Sequence, residues 1–266
     1  MAIITYRVGT LEYLAAEGIL VPHCFTTRLG GVSSGVLSSL NLGNHRGDTA
    51  ENVAENFRLL GRAVGFAPEQ LVLTRQIHSD IVRAVTDADR AGLDHRDYPE
   101  CDALITATAG VGLVVFTADC TPILFHDPVT GAVGAAHAGW RGTAAGIAEK
   151  TVNAMAERFG CDPANIRAAV GPNIAQCCFE TDRDVPDAML EALGDAAKPF
   201  ISQIGDKYYV NLKEINALFL RRAGVRHIEI SGDCTACQRD RFWSHRVTRG
   251  QRGSQGAIII CKEAGE

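Results

Sequence analysis

Apolar positions fall into two kinds of pattern along the chain. Short solid runs come first: Val21 to Thr26, Leu71 to Thr74, Ile81 to Val85 and Ala103 to Thr106. GVGLVVFTADC, TPILFHD and GAVGAAHAGW then follow in quick succession, and Ile166 to Val170, Ile228 to Ile230 and Ala257 to Cys261 come later. Runs of this length bounded by Gly, Pro and Asp predict buried strands, with HDPVTGA as turn chemistry between two of them. The second pattern is helical. Asp48 with Glu51 three residues on predicts a capped helix start, running to about Val64 and stopped by Gly65. Ala144, Ala148, Val152, Met155 and Phe159 make one face of a helix over 143–159, closed by Gly160. Further helices are predicted over about 184–194 and 211–223. Strands and helices mix without a strict βαβ rhythm, so the expected fold is α/β, a single domain over 1–266 with a mixed β-sheet flanked by helices. The segment 27–48, TRLGGVSSGVLSSLNLGNHRGD, is a long Gly/Ser/Asn-rich loop, a kind that in a compact domain is usually functional or disordered.

The chain has 266 residues, 46% apolar and 21% charged, enough for a large core without staples. With 26 basic and 31 acidic residues the formal net charge is −5, which argues against nucleic-acid or anionic-membrane binding over the whole surface but allows a local basic pocket. The start, MAIITYRVGTLEYLAAEG, lacks the pattern of a secretory signal, and the longest apolar run, Val111 to Phe116, is too short to cross a bilayer. A cytoplasmic protein with no membrane or nucleic-acid partner is expected, as a monomer or weak dimer. Nine cysteines, an odd count, suit thiols or metal ligands better than a disulfide framework.

Three segments carry the best candidates for chemistry. QIHS holds His78, TADCTP holds Cys120 and AAHAGWRG holds His137, each at the end of a strand-like run, where α/β folds place their sites. Two imidazoles and a thiolate suit a three-ligand zinc with an open fourth position, and they also suit copper. The same residues fit a Cys–His nucleophile pair. Each also has a plainer reading, as a core cysteine or a hydrogen-bonded histidine, and their spacing matches no short zinc pattern. HAGWRG, with Arg141, precedes a helix and fits an anion site. Arg28 and Arg46 share the Gly/Ser/Asn loop, where two guanidiniums can hold a phosphate or carboxylate, or simply lie in solvent. Cys234 and Cys237 form one C-x-x-C, a zinc half-site or redox pair by spacing, read as structural or incidental because it has neither a thioredoxin-like context nor a second pair. Cys177 and Cys178 are adjacent. Cys24, Cys101, Cys161 and Cys261 read as core.

Taken in order, TTRLGGVSSGVLSSLNLGNHRGD, QIHSD, CDALIT, FTADCTPILFHD, HAGWRGT, GPNIAQCCFE and RFWSHR resemble the YfiH-like family, also called polyphenol oxidoreductase (laccase-like), multifunctional purine nucleoside phosphorylase and peptidoglycan editing factor. The resemblance runs from about residue 22 to 261. It implies an α/β fold related to the catalytic domain of cytotoxic necrotizing factor, a Cys–His deamidase, and it implies that His78, Cys120 and His137 are the metal ligands. Two stretches depart from the family pattern. Asn173 stands for a Cys and Ala175–Gln176 for Gly–Pro in GPNIAQCC, and Ser244-His245-Arg246-Val247 stands for an SYRR-like element.

The resemblance implies a metal-dependent purine nucleoside phosphorylase with adenosine deaminase activity on adenosine, inosine and methylthioadenosine, using zinc or copper. Phosphorolysis needs a phosphate near C1′ and stabilisation of an oxocarbenium-like transition state, for which Arg28 and Arg46 are candidates. Deamination needs a metal-activated water and a proton carrier, for which Asp119 is a candidate. The zinc-deaminase pairing of H-x-E with P-C-x-x-C is absent. A multicopper oxidase needs many histidines in H-x-H pairs, and none of the eight histidines here is so paired, leaving at most a single copper at the triad. The alternatives are a Cys120–His137 thiol hydrolase acting on an amide, as in peptidoglycan editing, a copper-dependent polyphenol oxidase, or a non-enzymatic binding module.

Overall fold

The computed structural model describes residues 2–44, 46–93 and 98–262, so His45 of the Gly/Ser/Asn loop lies outside it. Its strands are β1 (Ile3–Val8), β2 (Leu11–Ala16), β3 (His23–Thr26), β4 (Leu71–Val72), β5 (Val82–Ala84), β6 (Ala103–Thr106), β7 (Gly112–Thr117), β8 (Thr121–His126), β9 (Val133–Ala138), β10 (Arg167–Val170), β11 (Glu180–Thr181), β12 (Ile201–Ile204), β13 (Lys207–Val210), β14 (His227–Ile230) and β15 (Gln255–Ile260). Its helices are α1 (Ala50–Val64), α2 (Trp140–Ala144), α3 (Ile147–Phe159), α4 (Asp184–Leu193), α5 (Leu212–Arg222) and α6 (His245–Thr248).

The α/β class with mixed pairing holds, but the strands divide into two six-stranded sheets and a small third. The first sheet has the order β1-β2-β3-β15-β7-β4, the second β14-β10-β8-β9-β6-β5, and the third β11-β13-β12. Pairing is antiparallel except for β4 with β7, β10 with β14 and β5 with β6. Alternation along the strands builds four layers. Leu113, Val115, Ala257 and Ile259 of the first sheet pack with Leu104, Leu124, Val133 and Ala135 of the second. The opposite faces carry Val114 and Ile258 against Val53, Phe57 and Leu60 of α1, and Ile123 and Phe125 against Val152, Met155, Ile215 and Phe219 of α3 and α5. A strand buried between two layers is apolar at every position, which is why the runs in the sequence show no period of two. Along β9, Val133 and Ala135 face the inter-sheet layer and Ala136 and Ala138 face the helices, so His137 belongs to the inter-sheet side.

Two helix boundaries differ from expectation. The predicted 143–159 helix is broken: α2 ends at Ala144 and α3 begins at Ile147, because Gly146 takes φ +77° and sits against the Phe219 ring. Ala148, Val152 and Met155 keep the buried stripe. The N-cap of α1 is Thr49, whose hydroxyl accepts from the Asn52 N–H. Asp48 instead accepts from Ser33 Oγ at 2.6 Å and from the side-chain amides of Asn41 and Asn52 at 2.9 Å each. With buried Asn56, which bonds Val32, Ser33 and Asn41, it pins the 27–48 loop onto α1. The hairpin β1–β2 and the small third sheet have no counterpart in the sequence reading. Among the described residues no helix is long and apolar enough to cross a membrane.

Candidate metal centre and its cavity

His78, Cys120 and His137 come together, with their donor atoms all within 4.8 Å of one another. Each arrives by a different route. His78 lies between β4 and β5, Cys120 lies where the chain passes from β7 in the first sheet to β8 in the second, and His137 lies within β9. The two imidazoles meet edge to face at 4.9 Å between centroids. His137 is buried, Cys120 half-buried and His78 exposed, so the cluster opens to solvent on the His78 side.

One buried carboxylate orders both histidines. Asp102, immediately before β6, accepts from His137 Nδ1 at 2.8 Å, which leaves Nε2 as the free ring nitrogen. It also accepts from the N–H groups of Ile77 (3.2 Å), His78 (3.1 Å) and Ser79 (2.7 Å) and from Ser79 Oγ (2.6 Å). Burial alone would raise the Asp102 pKa, but the hydrogen bonds from His137 and Ser79 hold it down at about 2. Burial acts to lower the His137 pKa, and the Cys120 sulfur and the Asp102 carboxylate outweigh it and lift it to about 9. His78 shifts down, through burial and then the adjoining His137.

The backbone around the candidate ligands is strained. His78 has φ +60° and Asp119 φ +88°, a region that costs non-glycine residues about 1–3 kcal/mol each. Asp102 supports the first through three consecutive N–H groups. The Asp119 carboxylate is engaged by Thr235 Oγ1 (2.6 Å), Ser244 Oγ (3.1 Å) and the Arg246 N–H (2.7 Å), so it fastens the C-terminal segment to the site. At Gly139 a Cβ would lie 2.5 Å from His78 Nδ1 and 3.5 Å from Cys120 Sγ. Glycine in HAGW therefore keeps the space between donors open. One thiolate, two imidazoles and an outer carboxylate on one histidine fit a borderline-soft divalent ion, zinc or copper.

The cluster borders a cavity of about 640 Å³, ample for a small-molecule ligand. Phe116, Phe179 and Tyr98 line it, as do Arg46, Arg246 and Arg252. Of the arginines named from sequence, Arg46 is thus placed at the cavity and the other two are not. The Arg28 guanidinium lies 3.9 Å over the Trp243 ring and donates to the carbonyls of Ser38 and Arg239. Arg141 lies 4.2 Å over the Trp140 ring, and the helix it opens, α2, is only five residues long. Sequence reading did not single out Arg252 or Asp102. Arg252 donates through Nη1 to Gly253 O and Ser254 Oγ, while its buried Nε has no partner. Burial and then the neighbouring charge of Arg46 lower its pKa to about 10. Among the described residues neither Arg46 nor Arg252 has an acidic partner in an ion pair. The only mark of Asp102 in the sequence is its place in CDALIT.

Among the described residues, two groups of three or more ligating side chains occur. One is this triad. The other joins Cys234 and Cys237 to Cys177 and Cys178, so the C-x-x-C that looked solitary has its second pair.

Residues 22–262 match the family described as multi-copper polyphenol oxidoreductase laccase. The purine nucleoside phosphorylase YlmD of Geobacillus stearothermophilus is 41% identical over 245 residues, 90% of this chain and 89% of that protein. The purine nucleoside phosphorylase of Deinococcus radiodurans is 40% identical over 249 residues, 94% and 92% of the two chains. The crystal structure of Geobacillus stearothermophilus YlmD superposes with a TM-score of 0.92 at 37% identity, covering 98% of this chain and 100% of that one.

Proposed function

The chain belongs to the multi-copper polyphenol oxidoreductase laccase family, and from that footing we propose that it is a purine nucleoside phosphorylase with adenosine deaminase activity, acting on adenosine, inosine and methylthioadenosine. The observation that carries this reading is that the His–Cys–His donor set shares one cavity with two arginines that have no acidic ion-pair partner among the described residues. The names of the relatives point the same way.

In phosphorolysis an oxygen of phosphate forms a bond to C1′ as the C1′–N9 bond breaks, and the purine leaves with a proton. Positive charge develops on the sugar, next to the phosphate that attacks it. Arg46 and Arg252 hold that phosphate, with the Arg252 guanidinium preset by its bonds to Gly253 and Ser254. Phe116 and Phe179 offer apolar faces to the base. Asp102 fixes the His137 ring through Nδ1 and the His78 backbone through its N–H. His78, Cys120 and His137 would hold a divalent ion, zinc before copper, which would supply Lewis acidity at the cavity, and both activities would depend on it.

Purified protein given inosine should release hypoxanthine and ribose 1-phosphate only when phosphate is present, and given adenosine should form inosine. A chelator should stop both. Base release that is independent of phosphate would reject the phosphorylase reading.

A second reading has its own observation. His137 bonds Asp102 on one side and faces Cys120 on the other, the nucleophile–base–orienter order of a thiol hydrolase. An amide hydrolase, as in peptidoglycan editing, would keep its activity in chelator, and the phosphorylase would not. A polyphenol oxidase would have to run on one copper at the triad, since His78 and His137 are the only histidines in a ligating group among the described residues.

A further inference from the structure

Four cysteines outside the cavity converge from two distant places. Cys237 Sγ lies 3.6 Å from that of Cys177 and 3.4 Å from that of Cys178, and these two sulfurs are 3.8 Å apart. With Cys234 all four sulfurs lie within 4.8 Å of one another. Four thiolates around a tetrahedral zinc, with Zn–S near 2.3 Å, place their sulfurs about 3.8 Å apart. A disulfide would single out one pair at about 2 Å. Here Cys237 sits comparably close to both members of the adjacent pair, and all nine cysteines are free.

We propose that Cys177, Cys178, Cys234 and Cys237 bind one zinc ion in a closed four-thiolate site, separate from the His78–Cys120–His137 centre. With every coordination position taken by protein, the ion is structural. Its surroundings suit it. The Ala175 N–H donates to Cys234 Sγ at 3.3 Å, the type of outer contact that orients a ligand. The Lys213 ammonium, held on the carbonyls of Ser231 and Asp233, offsets part of the charge of four thiolates. Cys234 is buried while Cys177 and Cys237 are exposed, which gives the ion a way in.

The site's place in the fold states its purpose. Asn173 bridges to Cys234, Thr235 bonds Asp119, and the Arg246 guanidinium donates to the carbonyls of Cys178 and Glu180. Ile174, Phe179 and Arg246 all line the cavity. The zinc therefore staples together two loops that form one wall of the cavity, without touching the reacting groups.

Metal content per chain tests this directly. Full-length protein purified in zinc-containing medium should carry two zinc ions by plasma mass spectrometry. The Cys177→Ser/Cys237→Ser variant, changed only at exposed positions, should carry one and should unfold at a lower temperature. Cys120→Ala should also carry one, and its cobalt-reconstituted form should show a strong thiolate-to-cobalt charge-transfer band that vanishes when Cys177 and Cys237 are changed as well. Unchanged zinc in the Cys177→Ser/Cys237→Ser protein, no metal in Cys120→Ala, or an intact mass short by two hydrogens from a disulfide would each overturn the proposal. If the reading of the cavity failed instead, the cysteine variants would still lose their ion.

Discussion

Replacing Asp102 by Asn keeps the size of the side chain and removes what makes it a hub. Oδ1 accepts from His137 Nδ1 and the His78 N–H, and Oδ2 from the Ile77 and Ser79 N–H groups and from Ser79 Oγ. An amide has one acceptor oxygen, so either orientation sets its NH2 group against donors. With nitrogen at the first place, His137 must move its proton to Nε2, the atom it would offer to a metal. With nitrogen at the second, the turn that holds His78 at φ +60° loses two of its backbone partners. Hydrogen bonds to a charged group contribute about 1.5–3 kcal/mol each when buried. The loss at the metal itself is expected to be about 10–100-fold in affinity, or roughly 1.4–2.7 kcal/mol, as for other outer-shell carboxylates. Competition with a chromophoric chelator reads this affinity, and a thermal melt shows that the variant is folded. An Asp102→Asn protein that unfolds cooperatively and holds metal as tightly as wild type would refute the reasoning.

Arg252→Ala and Arg46→Ala should each raise the KM for phosphate about tenfold, the worth of one charge-assisted contact, with metal content unchanged, whereas Arg28→Ala should leave that KM alone and lower the melting temperature through its lost contact with Trp243. Equal phosphate dependence in all three would remove the arginines from the site. Gly139→Ala forces a methyl group to within 2.5 Å of His78 Nδ1 and should abolish metal binding in a protein that still folds, as metal analysis would show. His126, buried at the end of β8 and accepting from the Leu20 N–H, is held neutral chiefly by burial and then by Arg167, with its pKa lowered to about 4. The unfolded chain takes up that proton near pH 6.5, so stability is full above this pH and falls by about 3 kcal/mol as the pH drops toward 4. Denaturant titrations across that window should show a clear loss in wild type and a much smaller one in His126→Asn.

The candidate ligands were legible because each stands beside a solid apolar run, although only Cys120 sits at a strand end: His137 lies within β9 and His78 in the loop between β4 and β5. The number of sheets was not legible. A strand buried between two sheets and one buried between a sheet and helices read alike, as β7 and β8 do, although they lie in different layers. The break at Gly146 was hidden because Ala144 and Ala148 keep the helical spacing across it. Arg28 and Arg46 lie in one loop and look equivalent, and what separates them is Trp243, far along the chain. Asp102 carries no spacing signal, since its partners are mostly backbone N–H groups. The two cysteine pairs each looked weak because the signal lies in their meeting, a long-range contact that local spacing does not contain.

The geometry at Asp119 links these features. The chain leaves β7 in the first sheet and enters β8 in the second within three residues, and Asp119 makes the turn with φ +88°. That conformation sets Cys120 against the two histidines. It also directs the Asp119 carboxylate toward Thr235, Ser244 and the Arg246 N–H. Thr235 adjoins Cys234 of the cysteine cluster, and the segment held at Ser244 leads on to Arg252 at the cavity. A residue in a costly conformation persists only where its surroundings over-determine it. Here the surroundings are the C-terminal segment itself, so the position of the Cys120 thiol and the positions of Arg246 and Arg252 depend on the same three hydrogen bonds.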